Sequence, residues 1–190
     1  FYDEQGICHV VLPERGHLSP GKFCVGGDSH SPTGGAFGAY MFGIGATEMA
    51  GVLATGTIWI KVPETILIRW HNQLSPFVTA KDMMLATCRK IGMGGGRYQA
   101  IQFAGDAVRQ LGMQDRMTLS NMAAELGAQA GLIAPDETTI DYIHKAGGIV
   151  PEDWCSYQIE AAETDDNLLS FDAAALAPQI AAPHSPANAD

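Results

Sequence analysis

The stretch that decides the reading is Val25-Gly26-Gly27-Asp28-Ser29-His30-Ser31-Pro32-Thr33-Gly34-Gly35-Ala36-Phe37-Gly38. It starts at the end of a short apolar run, Lys22 to Gly26, which reads as a buried strand bounded by Pro and Gly. A polar, glycine-rich turn follows, Asp28 to Gly35. Open α/β sheets place their ligand sites in such turns, at the carboxyl ends of strands. Successive side chains of a strand point to opposite faces, whereas an irregular turn lets Asp28, Ser29 and His30 converge on one ligand, a carboxylate among others. The same tripeptide also fits an aspartate cap, a hydrogen-bonded serine and a surface histidine. The rest of the chain has to decide between the two.

Working outward, Gly6 to Val11 is a second short apolar run and predicts another buried strand, with Leu12 to Gly21 as a loop. From Ala36 to Thr55 small and large apolar residues alternate, which predicts a long helix packed closely enough to need its glycines. Thr57 to Val62 and Thr65 to Trp70 read as a hairpin about Pro63-Glu64. Thr79-Ala80-Lys81-Asp82 has capping-box spacing with Asp in place of Glu and opens a helix that ends at the Gly92 to Gly96 run. Tyr98 to Ala104 is a strand candidate, Asp106 to Leu111 a short helix and Thr118 to Ala130 a stronger one, with Asn121 and Glu125 on one face. Pro135 to Thr138 opens a last helix, Thr139 to Lys145, stopped by Gly147-Gly148. Beyond Pro151 the pattern decays, and Pro178 to Asp190 is rich in Ala and Pro. The expected organisation is α/β: residues 1–56 as the last part of one α/β/α domain bearing the Asp-Ser-His turn, 57–175 as a second, smaller α/β domain, and 176–190 as a linker or frayed tail.

Composition narrows the function. Apolar residues make up 46% of the 190, charged residues only 17%, and there are 22 glycines, as in a folded α/β protein. A formal charge of -10 argues against nucleic acid and anionic membrane as partners, both of which call for basic patches. An anionic small substrate would have to be met by local donors. No apolar run of about 18 residues and no charged-then-apolar leader is visible, so a soluble, cytoplasmic chain is expected, and its start at Phe1 rather than Met reads as an internal fragment. Cys8, Cys24, Cys88 and Cys155 contain no Cys-x-x-Cys pair, which signals neither zinc nor a redox dithiol; each reads as a small buried apolar residue. His9, in an apolar run, is either a satisfied core histidine or a catalytic one. Glu125 sits in Met-Ala-Ala-Glu-Leu-Gly-Ala; if buried it needs a partner, for which a histidine is the natural one, and if exposed it is a solvated helix position. Gly94 to Gly96 lacks the Lys-Ser/Thr of a phosphate loop, and no Gly-x-Ser-x-Gly occurs.

Taken in order, Gly6-Ile7-Cys8-His9-Val10-Val11, the Val25 to Gly38 stretch and Thr118-Leu119-Ser120-Asn121-Met122-Ala123-Ala124-Glu125-Leu126-Gly127-Ala128 resemble successive motifs of the aconitase superfamily. Gly43-Ile44-Gly45-Ala46-Thr47-Glu48, Thr79 to Asp82 and Ala134 to Thr139 are closer to the large subunits of its 3-isopropylmalate dehydratases. The resemblance covers about Gly6 to Ile143, with a weaker echo from Phe171 to Pro186. It implies aconitase-type α/β/α layers and hydro-lyase chemistry on a small hydroxylated di- or tricarboxylic acid in leucine biosynthesis, with a 4Fe-4S cluster as Lewis acid in the full-length enzyme. By motif match His9, Asp28, His30 and Glu125 are catalytic, Ser29 binds substrate and Asn121 lies near the cluster. The implied pairings are Asp28 with His9 and Glu125 with His30.

Two departures bear on activity. The Ser-Cys-Thr-Asn and Gly-Cys-x-x-Cys motifs that hold the cluster do not occur, and the upstream Asp-His motif and the small subunit or swivelling domain that supplies the catalytic base are also missing. The expected partners are therefore that cluster-bearing C-terminal segment, the small subunit or swivelling domain, and the acid substrate. The chain alone is expected to be inactive and to associate with itself through faces left bare near Asp28 to Gly35 and Asn121 to Glu125. The alternative is a non-catalytic binding or scaffold module that keeps the fold. Adding iron and sulfide to this chain should give no stable visible absorption, because a cluster needs at least three thiolates in a preformed pocket; stoichiometric iron with a stable spectrum would refute that reading of the cysteines.

Overall fold

The structure, a computed structural model, describes residues 2–164 and 166–190. Its larger sheet has the order β5-β4-β3-β6, built from β3 (Thr65–His71), β4 (Ala100–Ala104), β5 (Ala130–Ile133) and β6 (Leu168–Asp172), all pairs parallel. A smaller parallel pair joins β1 (Phe23–Gly26) to β2 (Tyr40–Gly43), with Phe23 opposite Tyr40 and Gly26 opposite Gly43. The helices are α1 (Cys8–Glu14), α2 (Ala46–Thr55), α3 (Ala80–Ile91), α4 (Asp106–Gln110), α5 (Met113–Met122) and α6 (Glu137–Lys145). Strands buried on both faces read as continuous apolar runs, and β4 is buried at every residue. The main core gathers Ile68, Trp70, Met83, Ile101, Phe103 and Leu119; a second cluster joins Phe37 and Met41 to Met113, Ile140 and Ile143. This second cluster ties the first fifty residues to α5 and α6.

Several expected elements take another form. The run Gly6 to Val11 is not a strand; it opens α1, after Gly6 at φ +122 turns the chain, and a six-residue apolar run does not distinguish the two by period. The helix expected from Ala36 to Thr55 is broken at Gly38, which lies in the left-handed region at φ +69. Before it a 3-10 helix occupies Ser31–Phe37; after it come β2 and then α2. The hairpin about Pro63-Glu64 is also replaced: β3 is flanked by parallel strands on both sides, and one of them, β6, lies where the pattern had decayed. The helix expected over Thr118 to Ala130 starts earlier, at Met113, tightens into a 3-10 turn over Ala123–Leu126 and closes at Gly127, φ +70, leaving Ala130–Ile133 for β5.

The segment that composition marks as a tail folds back on α3. Gln179 donates its backbone N–H to Asp82 Oδ1 at 2.7 Å, Ala181 bridges Ala189 antiparallel, and Arg89 pairs with Asp190 at 2.9 Å. Asp82 also accepts from the Thr79 N–H and hydroxyl, both 2.7 Å, so the capping box holds the start of α3 and the tail together. The bare apolar surface lies elsewhere than Asp28 to Gly35: residues Ser31 to Phe37 are buried, whereas α2 buries none of its residues and Leu53, Trp59 and Val62 are 81%, 87% and 82% exposed.

Arg116 on α5 is fully buried and fully used. Its guanidinium donates to both carboxylate oxygens of Asp136 at 2.7 Å, to the Leu111 and Arg109 carbonyls at 3.0 and 2.9 Å, and to Thr139 Oγ1 at 3.3 Å. Asp136 is at once the N-cap of α6, accepting the Thr139 N–H at 3.2 Å. Burial pushes its carboxyl up, but the hydrogen bonds and charge of Arg116 outweigh that, so it lies below the ordinary range. Such a depressed group adds stability above the unfolded carboxylate's titration, and that contribution is lost as pH falls through the folded one. Asp136→Ala should cost about 3–5 kcal/mol by stranding a buried cation. Urea unfolding at neutral pH should show that loss, with less sensitivity to acid than in the parent; equal stability of the two would refute it.

Candidate functional site

Three pieces of chain meet where β1 ends. His9 comes from the second residue of α1, Asp28, Ser29 and His30 from the turn after β1, and Asn121 and Glu125 from the end of α5 and the 3-10 turn that follows. Glycine lets them meet so closely. A Cβ on Gly43 would stand 2.5 Å from the Asp28 carbonyl oxygen, and one on Gly35 would stand 1.9 Å from that of Gly131, so backbone packs directly on backbone at both points. Ser31 and Thr33 secure the turn by donating their hydroxyls to the carbonyls of Asp28 and His30, each at 2.7 Å.

Within this frame His9 Nε2 lies 2.8 Å from Asp28 Oδ1, and the same oxygen accepts the His30 backbone N–H at 2.8 Å. His30 Nε2 lies 3.2 Å from Glu125 Oε1, across 95 residues of sequence, and its Nδ1 lies 3.2 Å from Ser29 Oγ. The two imidazoles stand edge to face with centroids 6.5 Å apart. Asn121 does not touch the histidines; its Nδ2 donates to Thr33 Oγ1 at 2.9 Å. All the residues singled out in the sequence are thus gathered at one place. Thr33, Ser31 and the glycine contacts were missed, because a small residue in a turn carries no mark of which backbone it will touch.

The electrostatics are local. The His30 N–H, followed by the His9 ring, holds the Asp28 carboxyl below the ordinary range, so Asp28 is an anion able to orient an imidazole. His30 stands between a carboxylate and a hydroxyl, the arrangement that fixes which ring nitrogen carries a proton. With Nε2 donating to Glu125, a neutral ring accepts from Ser29 at Nδ1, and a protonated ring has a second proton to give.

The cysteines do not join this site as ligands. Burial, with Glu125 close by, pushes the Cys88 thiol up to about 11; burial, helped by Asp28, raises Cys8, and burial raises Cys24. For all three the surroundings on balance favour the thiol over the thiolate that a metal binds. Cys155 is exposed on a different segment. Among the described residues no group of three or more His, Cys, Asp or Glu could hold a metal ion. The donors present here therefore do not fit the ligand set of an iron-sulfur cluster. Among the described residues no helix is long and apolar enough to cross a membrane.

The model of the aconitase family (aconitate hydratase) matches residues 1–189. The chain is 44% identical over 97% of its length to the 3-isopropylmalate dehydratase large subunit of Moorella thermoacetica, and 39% over 99% to that of Aquifex aeolicus. It is 44% identical over 99% of its length to the probable methanogen homoaconitase large subunit of Methanosarcina mazei. It spans less than half of each of these relatives: 43%, 43% and 48%.

The Asp28 carboxyl should titrate below an ordinary aspartate when followed by carbon-detected NMR, and in His9→Ala its midpoint should rise while staying depressed by the His30 N–H. An unchanged midpoint in the variant would show that the His9 bond contributes nothing.

Proposed function

This chain belongs to the aconitase family, and from that premise we propose that it is the part of a hydro-lyase large subunit that presents two carboxylate-oriented imidazoles to a small hydroxy di- or tricarboxylic acid. The reading resembles 3-isopropylmalate dehydratase, in leucine biosynthesis in the cytoplasm. The observation that carries it is the convergence of His9–Asp28 and His30–Glu125 on one turn, at 2.8 and 3.2 Å. Residues 1–56 are read as part of a larger domain and 57–175 as a second one.

In a dehydration one carbon gives up a hydroxyl, which leaves as water once protonated, and its neighbour gives up a proton. The imidazoles of His9 and His30 are the groups at this turn that can carry a proton and deliver it. Asp28 and Glu125 hold the rings in place, and the Ser29 hydroxyl donates to a substrate carboxylate. A four-iron cluster, implied by the family, would supply Lewis acidity; its thiolate ligands would come from the remainder of the large subunit, and the base from the small subunit or a swivelling domain. The chain by itself is accordingly read as inactive.

The test uses the complete large subunit with its small subunit, reconstituted without oxygen and assayed with 3-isopropylmalate and homologous hydroxy acids by the ultraviolet absorbance of the unsaturated product. Turnover is expected, and Glu125→Gln and His30→Gln should each lower kcat by about 10²- to 10⁴-fold. A complete protein that converts none of these acids would support the scaffold alternative instead.

A further inference from the structure

We infer that Thr33 is a positioning residue, which fixes the backbone of His30 by relaying a hydrogen bond from Asn121 on α5; this rests on the hydro-lyase reading above. Thr33 is 4% exposed. Its Oγ1 donates to the His30 carbonyl at 2.7 Å and accepts from Asn121 Nδ2 at 2.9 Å, linking residues 88 apart in sequence. The direction follows from chemistry. An amide nitrogen only donates, so the threonine lone pair is taken by Asn121 and its proton is left for the carbonyl; bonds in such a chain strengthen one another.

The end of α5 and the 3-10 turn that continues it thereby grip His30 twice. Glu125 holds the ring at Nε2, 3.2 Å away, and Asn121 holds the main chain through Thr33. A hydroxyl bonded to a carbonyl three residues back is by itself an ordinary turn device. Ser31 makes that bond to Asp28 and, among the described residues, has no second partner on α5. Of these two hydroxyls it is that of Thr33 whose local bond extends to another element, and the residue whose carbonyl it reaches is the one whose ring meets Glu125. Ring and main chain are held from one helix end, so His30 keeps its position relative to Glu125 if that end shifts against β1.

The experiment uses the complete enzyme. Thr33→Val, nearly isosteric but without the hydroxyl, should lower kcat by about 10- to 100-fold, as a small misplacement of a catalytic group does, with KM little changed; Thr33→Ser should restore kcat. Asn121→Leu should cost as much, and the double variant no more than either single one, because a relay is broken once. Parent-like kcat in Thr33→Val, or losses that multiply in the double variant, would overturn the relay. Should Thr33→Val fail to fold, Asn121→Leu decides: unchanged kcat overturns the relay, and a drop at constant KM supports it. Full turnover in His30→Gln would instead remove the hydro-lyase reading of His30, an outcome distinct from loss of the relay alone.

Discussion

Gly35 and Gly131 touch backbone to backbone, with a separation at which no side chain, however small, could be inserted. That contact seats the fully buried 3-10 helix Ser31–Phe37 on β5 and α5, and the turn bearing Asp28, Ser29 and His30 is its immediate continuation. Where β5 sits is decided by its pairing with β4 in the larger sheet, so the two carboxylate–imidazole pairs inherit their spacing from the sheet. Nothing in the 28–30 turn would bring His30 to Glu125 without that seating. Gly43, pressed against the Asp28 carbonyl, does the same from the side of β2.

A second constraint acts further from the turn. Arg116 draws Asp136, the Leu111 and Arg109 carbonyls and Thr139 around one buried cation, which sets α5 against α6. A bidentate guanidinium–carboxylate pair is directional as well as strong, and a helix held in this way has little freedom to rotate about its axis. Rotation of α5 would carry Asn121 away from Thr33. The orientation of the site therefore depends on an ion pair that touches none of its residues.

The sequence made the chemistry of the site legible and much of its scaffold illegible. His9, Asp28, His30 and Glu125 could be named because the motifs that carry them resemble those of the aconitase family; the residues alone pointed only Glu125, a carboxylate in an apolar helix, toward a histidine partner, and the structure pairs it with His30. α3, with Thr79 and Asp82 at its start, and α6, with Asp136, were visible from their caps. β2 and β5 were not: four residues are too few to show a period of two, β2 lay inside the Ala36 to Thr55 stretch that read as helix, and β5 begins at Ala130, the last residue of another expected helix. α1 was taken for a strand for the complementary reason. The Ala-Pro tail from Pro178 looked unstructured because its anchor, the Asp82 carboxylate, lies far away along the chain. Arg116 carried no signal at all, since a lone arginine on a helix is usually solvated and only tertiary packing tells otherwise.

The position of β6 bears on how the chain acquires its fold during synthesis. β6 covers β3 in register from Leu67–Leu168 to His71–Asp172, while residues 72–167 intervene. A ribosome delivers β3, β4 and β5 in order, so that side of the sheet can assemble as it emerges. The opposite edge of β3 has to wait. Until residues 168–172 leave the tunnel, a nascent chain presents an apolar strand with unpaired N–H and C=O groups, a template that any extended segment nearby can join. The interval between making β3 and making β6 is thus a window of vulnerability that its topology imposes, one in which a holding chaperone or a pause in translation would act on β3 before any other strand.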